Sequence, residues 1–184
     1  MLKKFVVIFF AVCSVLSFSV YSQEKKNTGG WQKFVSKEGK FEILMPDEPQ
    51  SDEGEDELPH YGKYKSLEYT SDGVNSDFIV TVAEFSKDFD PAPKSALVAE
   101  MANGEIANST RTIQDVSVNV LGQPGRKVTL YVDKFVYVDH IKYVSQIMVF
   151  WVGKRFYMLQ AKTNSMSEKS PEAEKFFNSF KIVD

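Results

Sequence analysis

Carboxylates are the most concentrated reactive groups in this sequence. Seven of the eleven residues from 47 to 57 are Asp or Glu. Oxygen-rich segments can bind Ca²⁺, which takes about six to eight oxygen ligands, and the candidate ligands here are Asp52, Glu53, Glu55 and Asp56. Their spacing does not follow the EF-hand pattern. A solvated acidic loop that aids solubility is therefore the stronger expectation.

Histidine and serine offer a second possible chemistry. His60 and His140 are the only histidines, and Asp139, His140 and Ser145 contain the groups that a hydrolase uses. However, no G-x-S-x-G elbow is present, and residues 140 and 145 of one strand would point to opposite faces. Two distant histidines and a single cysteine also fall short of a zinc ligand set. We expect no catalytic residues, metal or cofactor, and a hydrolase acting through His140 is only a third hypothesis.

Aromatic side chains could grip a partner or stack on a sugar. Tyr61, Tyr64 and Tyr69 fall on one predicted strand, where Tyr61 and Tyr69 share a face and Tyr64 points the other way. Sheets favour aromatic residues for packing alone, so a core role is the stronger expectation. If a binding groove exists, we expect it near Trp31, Tyr61, Tyr64 and the acidic loop.

The first 22 residues have the pattern of a targeting segment. Lys3 and Lys4 precede an apolar run over 5–18, and small residues lead up to Ser22. This order predicts a secretory signal peptide cleaved after Ser22, and hence a periplasmic or secreted protein. The run is shorter than the roughly 20 residues of a membrane span, so an uncleaved anchor is the weaker reading. A lipoprotein is weaker still, since Cys13 lies inside the run. We expect no stable membrane span after cleavage.

Cleavage determines what the mature chain contains. It removes the only cysteine, so the domain must be stabilised by its core rather than by disulfides. It also lowers Lys+Arg from 22 to 20 against 25 acidic residues, which changes the formal net charge from -3 to -5. With three arginines and no basic stripe, nucleic-acid binding is not expected.

Hydrophobic periodicity and turn residues predict the elements that must position any site. A flexible lead-in over 23–30 should precede a single domain over 31–184. Strands are expected at 41–45, 61–70, 78–85, 113–120, 128–132, 141–152 and 155–162, with a break at 121–125. The segment 141–152 is almost continuously apolar toward its end, which predicts a strand buried on both faces.

Two helices are predicted from their start signals. Asp90 before a proline predicts one helix that extends toward Asn108, and Ser170 before a proline predicts another whose apolar face ends near Phe180. A last short strand can follow at 180–183. These elements indicate an α+β fold, with a mostly antiparallel sheet of about six to eight strands flanked by two helices.

Four groups of residues carry a family resemblance. They are Trp31-x2-Phe34-x-Ser36-x-Glu38-Gly39-x-Phe41-x-Ile43-x2-Pro46, Gly122-x-Pro124-Gly125, Gly153 with Tyr157, and Phe176-Phe177-x-Ser179-Phe180. Across nearly all of 31–184, the pattern resembles small exported bacterial domains of the Mog1/PsbP-like superfamily. The resemblance implies an αβα sandwich and, since members are as a rule non-enzymatic, a binding function. It supplies no shared binding motif to carry over.

Export, one compact domain and this resemblance define two main hypotheses. The first is a non-enzymatic exported binding or adaptor module whose partner is another protein of the cell envelope. The alternative is a periplasmic protein that binds a small ligand or Ca²⁺ through the acidic loop 47–57 or surface aromatics.

Overall fold

Two antiparallel sheets and two helices make up the structure, a computed structural model that describes residues 30–136, 139–164 and 170–183. The predicted signal peptide and all of the lead-in except Gly30 lie outside these residues. In chain order the elements are β1 (Gln32–Ser36), β2 (Phe41–Met45), β3 (Gln50–Leu58), β4 (Gly62–Asp72), β5 (Ser76–Phe85), α1 (Pro91–Ala107), β6 (Arg111–Val120), β7 (Gln123–Val136), β8 (Asp139–Val152), β9 (Arg155–Thr163), α2 (Pro171–Ser179) and β10 (Lys181–Ile182).

The larger sheet has seven strands in the order β3-β4-β5-β9-β8-β7-β6, so β3 and β6 form its edges. The smaller sheet has the order β1-β2-β10, which joins the start of the domain to its end. The apolar strand predicted at 141–152 is β8, an interior strand beside β9. Its residues 144–147 and 149–151 are buried, which confirms the prediction of burial on both faces.

The two faces of the larger sheet pack against different layers. Alternation along β5 shows the division, because Val80 and Val82 belong to one core cluster while Ala83 and Phe85 belong to the other. The first cluster lies under α2 and the smaller sheet, and we call this side the α2 face. The second lies under α1, on the α1 face. This arrangement confirms the predicted α+β fold with helices on both sides of a mostly antiparallel sheet.

The two helices begin where the sequence predicts but are capped differently. In α2 the Ser170 hydroxyl accepts a hydrogen bond from the Ala173 backbone N–H at 3.2 Å. In α1 the Asp90 side chain makes no cap hydrogen bond. Instead, α1 is fixed to the sheet by the buried Trp151, whose indole N–H donates to the Lys94 carbonyl at 3.1 Å. Neither helix of the described ranges is long and apolar enough to cross a membrane.

A buried chain of hydrogen bonds joins the two sheets at the β1–β2 turn. The Tyr157 hydroxyl on β9 donates to the Gly39 carbonyl at 2.9 Å. The Gly39 N–H donates to the Ser36 hydroxyl at 2.8 Å, and that hydroxyl lies 2.8 Å from the hydroxyl of Tyr69 on β4. A Cβ at Gly39 would lie 2.7 Å from the Phe41 ring, so the turn has no room for a side chain.

The acidic segment is the main correction to the sequence prediction. Most of the expected loop 47–57 is the strand β3, which pairs with β4 over nine residues from Gln50 to Leu58. Asp, Glu and Gly are depleted in strands because such residues gain little from packing on a half-buried sheet. An edge strand can still form with them, since its backbone pairs with a neighbour while its side chains remain in water.

Two further boundaries differ from the prediction. The expected break at 121–125 is a two-residue turn, because Leu121 and Gly122 both have positive φ angles, of 54° and 79°, and β7 begins directly after them. Two such residues form the tight turn that antiparallel strands favour. In addition, Tyr61 precedes β4 rather than lying on it, so strand parity does not fix its direction.

Candidate functional site

The strand β3 presents an open edge of the larger sheet. Within the described residues it pairs with β4 alone, so its other edge leaves a row of backbone N–H and C=O groups without a strand partner. The pairing with β4 runs without a register shift, which keeps this row regular. Such an edge can accept a further strand.

Five carboxylates lie along this open edge, at Asp52, Glu53, Glu55, Asp56 and Glu57. All but Asp56 are exposed, and Asp56 is partly exposed. The only ion pair of β3 within the described ranges joins Glu53 to the Lys65 ammonium at 3.1 Å. The hydrogen bond to Glu53 raises the pKa of Lys65 above its usual range. The edge therefore keeps a strong negative charge.

The strand geometry also separates these carboxylates from one another. Asp52 and Asp56 lie on one face of the strand, whereas Glu53 and Glu55 lie on the other. The Asp side chains also turn back on their own backbone, accepting hydrogen bonds from the next residue's N–H at 3.0 and 2.7 Å. Among the described residues, no group of three or more Asp, Glu, His or Cys is placed to hold a metal ion.

A groove of about 740 Å³ lies beside the C-terminal half of β3. Residues 55–57 form its acidic wall, Tyr64 and Phe85 contribute aromatic surface, and Glu84 and Lys154 lie on the side of the β8–β9 turn. Lys63 and Lys65 of β4 also line the groove, opposite Glu57 and Glu55 in the strand register. The groove therefore combines an aromatic side with a charged side on which carboxylates outnumber lysines by four to three. This combination suits a side chain that has an apolar stem and a positive end.

The far wall of the groove is held by ion pairs. Glu84 lies 2.6 Å from Lys154 and 2.9 Å from Arg155. Partial burial acts to raise the pKa of Glu84, but these two cations outweigh it and hold the pKa below its usual range. Glu84 is thus a paired structural carboxylate, and it leaves residues 55–57 as the carboxylates available to a ligand.

The three predicted aromatic site residues do not form one surface. Tyr64 is 6% exposed, packs with its ring 5.3 Å from Phe85 and lines the groove. Tyr61 lies on the same α1 face, where its hydroxyl donates to the Pro93 carbonyl at 2.9 Å. Burial raises the pKa of Tyr61. Both residues are thus largely occupied by packing.

Trp31 lies on the opposite side of the sheet. Its ring packs 5.1 Å from Phe78 in the cluster under α2, and the Lys175 ammonium lies 4.8 Å from the ring centre. The sheet therefore separates Trp31 from Tyr61 and Tyr64. The structure therefore does not bring Trp31 together with the two tyrosines, as the predicted groove requires.

The hydrolase residues are not brought together either. His140 is exposed on β8, where its Nε2 is 2.6 Å from Asp133 of β7. That contact, with a hydrogen bond from Tyr131, lowers the pKa of Asp133 to about 2. Ser145 is buried and accepts a hydrogen bond from the Gln160 amide at 3.0 Å. The opposite facing of residues 140 and 145 is confirmed.

Sequence reasoning missed two components of this site. The regular edge of β3 could not be predicted, because a run of acidic residues lacks the alternation of apolar and polar residues that identifies a half-buried strand. The wall formed by Glu84 and Lys154 was missed because it depends on the pairing of β5 with β9, and α1, β6, β7 and β8 lie between these two strands in the sequence. The strands predicted at 141–152 and 155–162 leave 153–154 as the connection between them, but they do not identify β5 as its neighbour.

Comparison with known proteins gives a fold and no family. No protein-family model matches the chain, and no curated protein matches it significantly. A crystal structure from Bacteroides thetaiotaomicron has 12% identity and a TM-score of 0.47 over 84% of this chain, which spans about half (49%) of that one. The solution structure of the cyanobacterial PsbP (CyanoP) from Synechocystis sp. has 10% identity and a TM-score of 0.52, over 89% of this chain and 99% of that one. The chain therefore has a PsbP-like fold.

Proposed function

We propose that this chain is an exported bacterial protein, cleaved after Ser22, that acts as a non-enzymatic binding module in the cell envelope. Its ligand is an extended, basic segment of another envelope protein, which pairs with the open edge of β3. The single observation that carries this proposal is a regular nine-residue edge strand with five carboxylates.

Backbone pairing supplies the first part of the interaction. A peptide that adds to a sheet edge gains a ladder of main-chain hydrogen bonds, and its alternate side chains meet the two faces of the sheet. The open edge of β3 is long enough for such a ladder. It is also straight in register, with no bulge against β4 to twist it away.

Charge selects the kind of peptide. The carboxylates on β3 repel a peptide strand that carries acidic side chains and attract one that carries Lys or Arg. Because Asp52 and Asp56 lie on one face and Glu53 and Glu55 on the other, basic side chains at successive positions of the peptide each meet a carboxylate. Exposed pairs of this kind contribute about 0.2–1 kcal/mol each and weaken in salt.

The groove supplies a place for one anchoring side chain. A Lys or Arg entering between residues 55–57 and the Tyr64–Phe85 surface would lay its methylenes on the rings and its charge among the carboxylates. This contact favours the C-terminal half of β3 as the part that determines affinity.

Two further observations support a binding role and export. Groups that could act in hydrolysis, His140 and Ser145, are engaged in separate contacts. Export is supported by the charged, apolar and small-residue order of the first 22 residues. N-terminal sequencing of the protein purified from its own cells tests the cleavage, and a first residue other than Gln23 would contradict it.

Peptide binding tests the function directly. A labelled peptide of alternating Lys and Val, as long as β3, should bind in fluorescence anisotropy, and its affinity should fall as salt rises. The same peptide with Pro in place of each Val keeps the charge but cannot form the ladder, so it should bind at least about tenfold more weakly. Equal affinity for the two peptides would contradict strand addition.

Paired variants locate the binding edge. Glu55→Gln with Glu57→Gln removes two exposed carboxylates on one face of β3 and should weaken the Lys-Val peptide by about threefold to tenfold, as expected for two exposed charges. The control is Glu100→Gln with Glu174→Gln, which changes the net charge equally but alters exposed helix positions. If the control weakens binding as much as the β3 variant, overall charge rather than the β3 edge explains the binding.

A further inference from the structure

The strand β6 forms the other edge of the larger sheet, and its chemistry differs from that of β3. Within the described residues it pairs with β7 alone. Its register is continuous from Gln114 to Val120, after an irregularity between Thr112 and Gln114. In this seven-residue stretch Asp115 is the only charged residue. Charged residues are a usual means of protecting sheet edges from pairing, and β6 has little of that protection.

The single charge is neutralised within the chain. The Arg126 guanidinium on β7 donates to both oxygens of Asp115, at 2.6 and 2.5 Å, and also to the Asn103 side chain of α1 at 2.8 Å. The hydrogen bond from Arg126 holds the pKa of Asp115 below its usual range. Asp115 is thus a fixed half of an ion pair and presents no free negative charge along the β6 edge.

Apolar side chains line one face of this edge. Val116, Val118 and Val120 alternate along β6 and lie on the α2 face, where Val120 packs against the main core cluster. Val116 is 38% exposed. Another apolar strand can cover the three valines and also pair with the open backbone groups beside them. Water can hydrogen-bond the backbone groups, but its contact with the valines is unfavourable.

We infer that the occupant of this edge is a second copy of the chain, with the two β6 strands paired antiparallel about a two-fold axis at Ser117. This register places Val116 opposite Val118 of the partner subunit, and Asp115 opposite the partner subunit's Asn119. Valines therefore meet valines and no two like charges meet. The result is one continuous sheet across both copies.

The same symmetry applied to β3 fails. Self-pairing there would place five carboxylates of one copy against five of the other, and like charges directly opposite each other destabilise a strand pair. The contrast between the two edges therefore selects β6 for self-association. It also leaves both β3 edges open for the peptide described above.

A cysteine trap tests the predicted register. In the full chain carrying Cys13→Ser, Ser117→Cys places a single thiol on the two-fold axis. Directly opposite residues in antiparallel strands have Cα atoms about 4.5–5.5 Å apart, a separation that a disulfide can span. Mild oxidation should yield a crosslinked dimer for Ser117→Cys. A comparable yield from Asp56→Cys on the β3 edge would overturn the proposal, since it would show random collision.

Sedimentation provides the second test, free of any crosslink. The unmodified chain should have the mass of two copies at roughly 100 µM, and dilution should return it to one copy. Val116→Lys with Val118→Lys should remain monomeric at the same concentration, with unchanged circular dichroism. The control, Val35→Lys with Val74→Lys, alters two exposed valines away from β6 and should still dimerise. A monomeric unmodified chain, or equal dimerisation of both variants, would overturn the inference.

Discussion

Tyr157 links the larger sheet to the smaller one, and its replacement by Phe tests this link at two pH values. The Tyr157 hydroxyl donates to the buried Gly39 carbonyl at 2.9 Å. Tyr157→Phe removes the donor and leaves that buried carbonyl without this partner. A buried acceptor without a hydrogen-bond partner lowers the free energy of unfolding by about 1–2 kcal/mol. For a domain of this size, the expected fall in Tm is about 3–6 °C.

The pH dependence gives the sharper form of this prediction. Burial raises the pKa of Tyr157 to about 12 in the folded protein, against about 10 in an unfolded chain. Between these values the unfolded state loses its proton first, so the free energy of unfolding falls as pH rises. The stabilisation is fully present below about pH 10, and about 1.4 kcal/mol of it is lost by pH 11. Phe cannot ionise, so Tyr157→Phe should equal the wild type in stability near pH 11.

Urea unfolding followed by tryptophan fluorescence measures both effects, at about pH 8 and pH 11. Ser36→Ala is the control, because it removes the next two hydrogen bonds in the same chain, those with Gly39 and Tyr69, without removing a group that ionises in this range. It should lose stability at pH 8 and keep the wild-type pH dependence. A gap between Tyr157→Phe and wild type that stays constant from pH 8 to 11 would refute the reasoning about burial of the hydroxyl.

Two further predictions concern helices and glycines. Ser170→Ala should lower the unfolding free energy by about 1 kcal/mol, because that side chain caps α2. Asp90→Ala should change it by only a few tenths of a kcal/mol, since Asp90 makes no cap hydrogen bond. Urea unfolding of the two variants measures both changes, and a larger loss for Asp90→Ala would contradict the assignment of the caps. Gly104→Ala should stabilise α1 by about 0.5–1 kcal/mol, because a Cβ there meets open space. Gly125→Ala should instead destabilise by about 2 kcal/mol or more, since its Cβ would lie 2.7 Å from the Val149 carbonyl oxygen. Equal thermal stabilities for the two alanine variants would contradict the packing described.

The parts of the fold that depend on buried apolar patterns could be predicted from sequence. β8 and α2 are clear cases, because a continuous apolar run and the Ser170–Pro171 start leave few alternatives. β3 could not be recognised in the same way. Its pairing is made by backbone groups, and a strand at a sheet edge with both faces in water has no need for the period-two pattern that identifies other strands.

The candidate site was predictable only in part, for a geometric reason. The acidic segment was identified as a potential binding region, and Tyr64 does line the groove beside it. Placing Trp31 required knowing which face of the larger sheet the β1–β2 hairpin covers, and this depends on long-range packing against α2. The predicted strand begins at residue 61, whereas β4 begins at Gly62. This difference of one residue is enough to reverse the expected direction of the Tyr61 side chain.

Unequal edges limit how far copies of this chain can polymerise. A sheet with two neutral edges can add copies head to tail without end, which is the geometry of a fibre. In the proposed dimer, joining two copies through β6 leaves β3 at both outer boundaries, and a third copy would have to place against them either its own β3 carboxylates or its valine-lined β6 edge. In that dimer, the five acidic residues of β3 would disfavour the addition of a third copy through its own β3, because like charges would lie opposite each other.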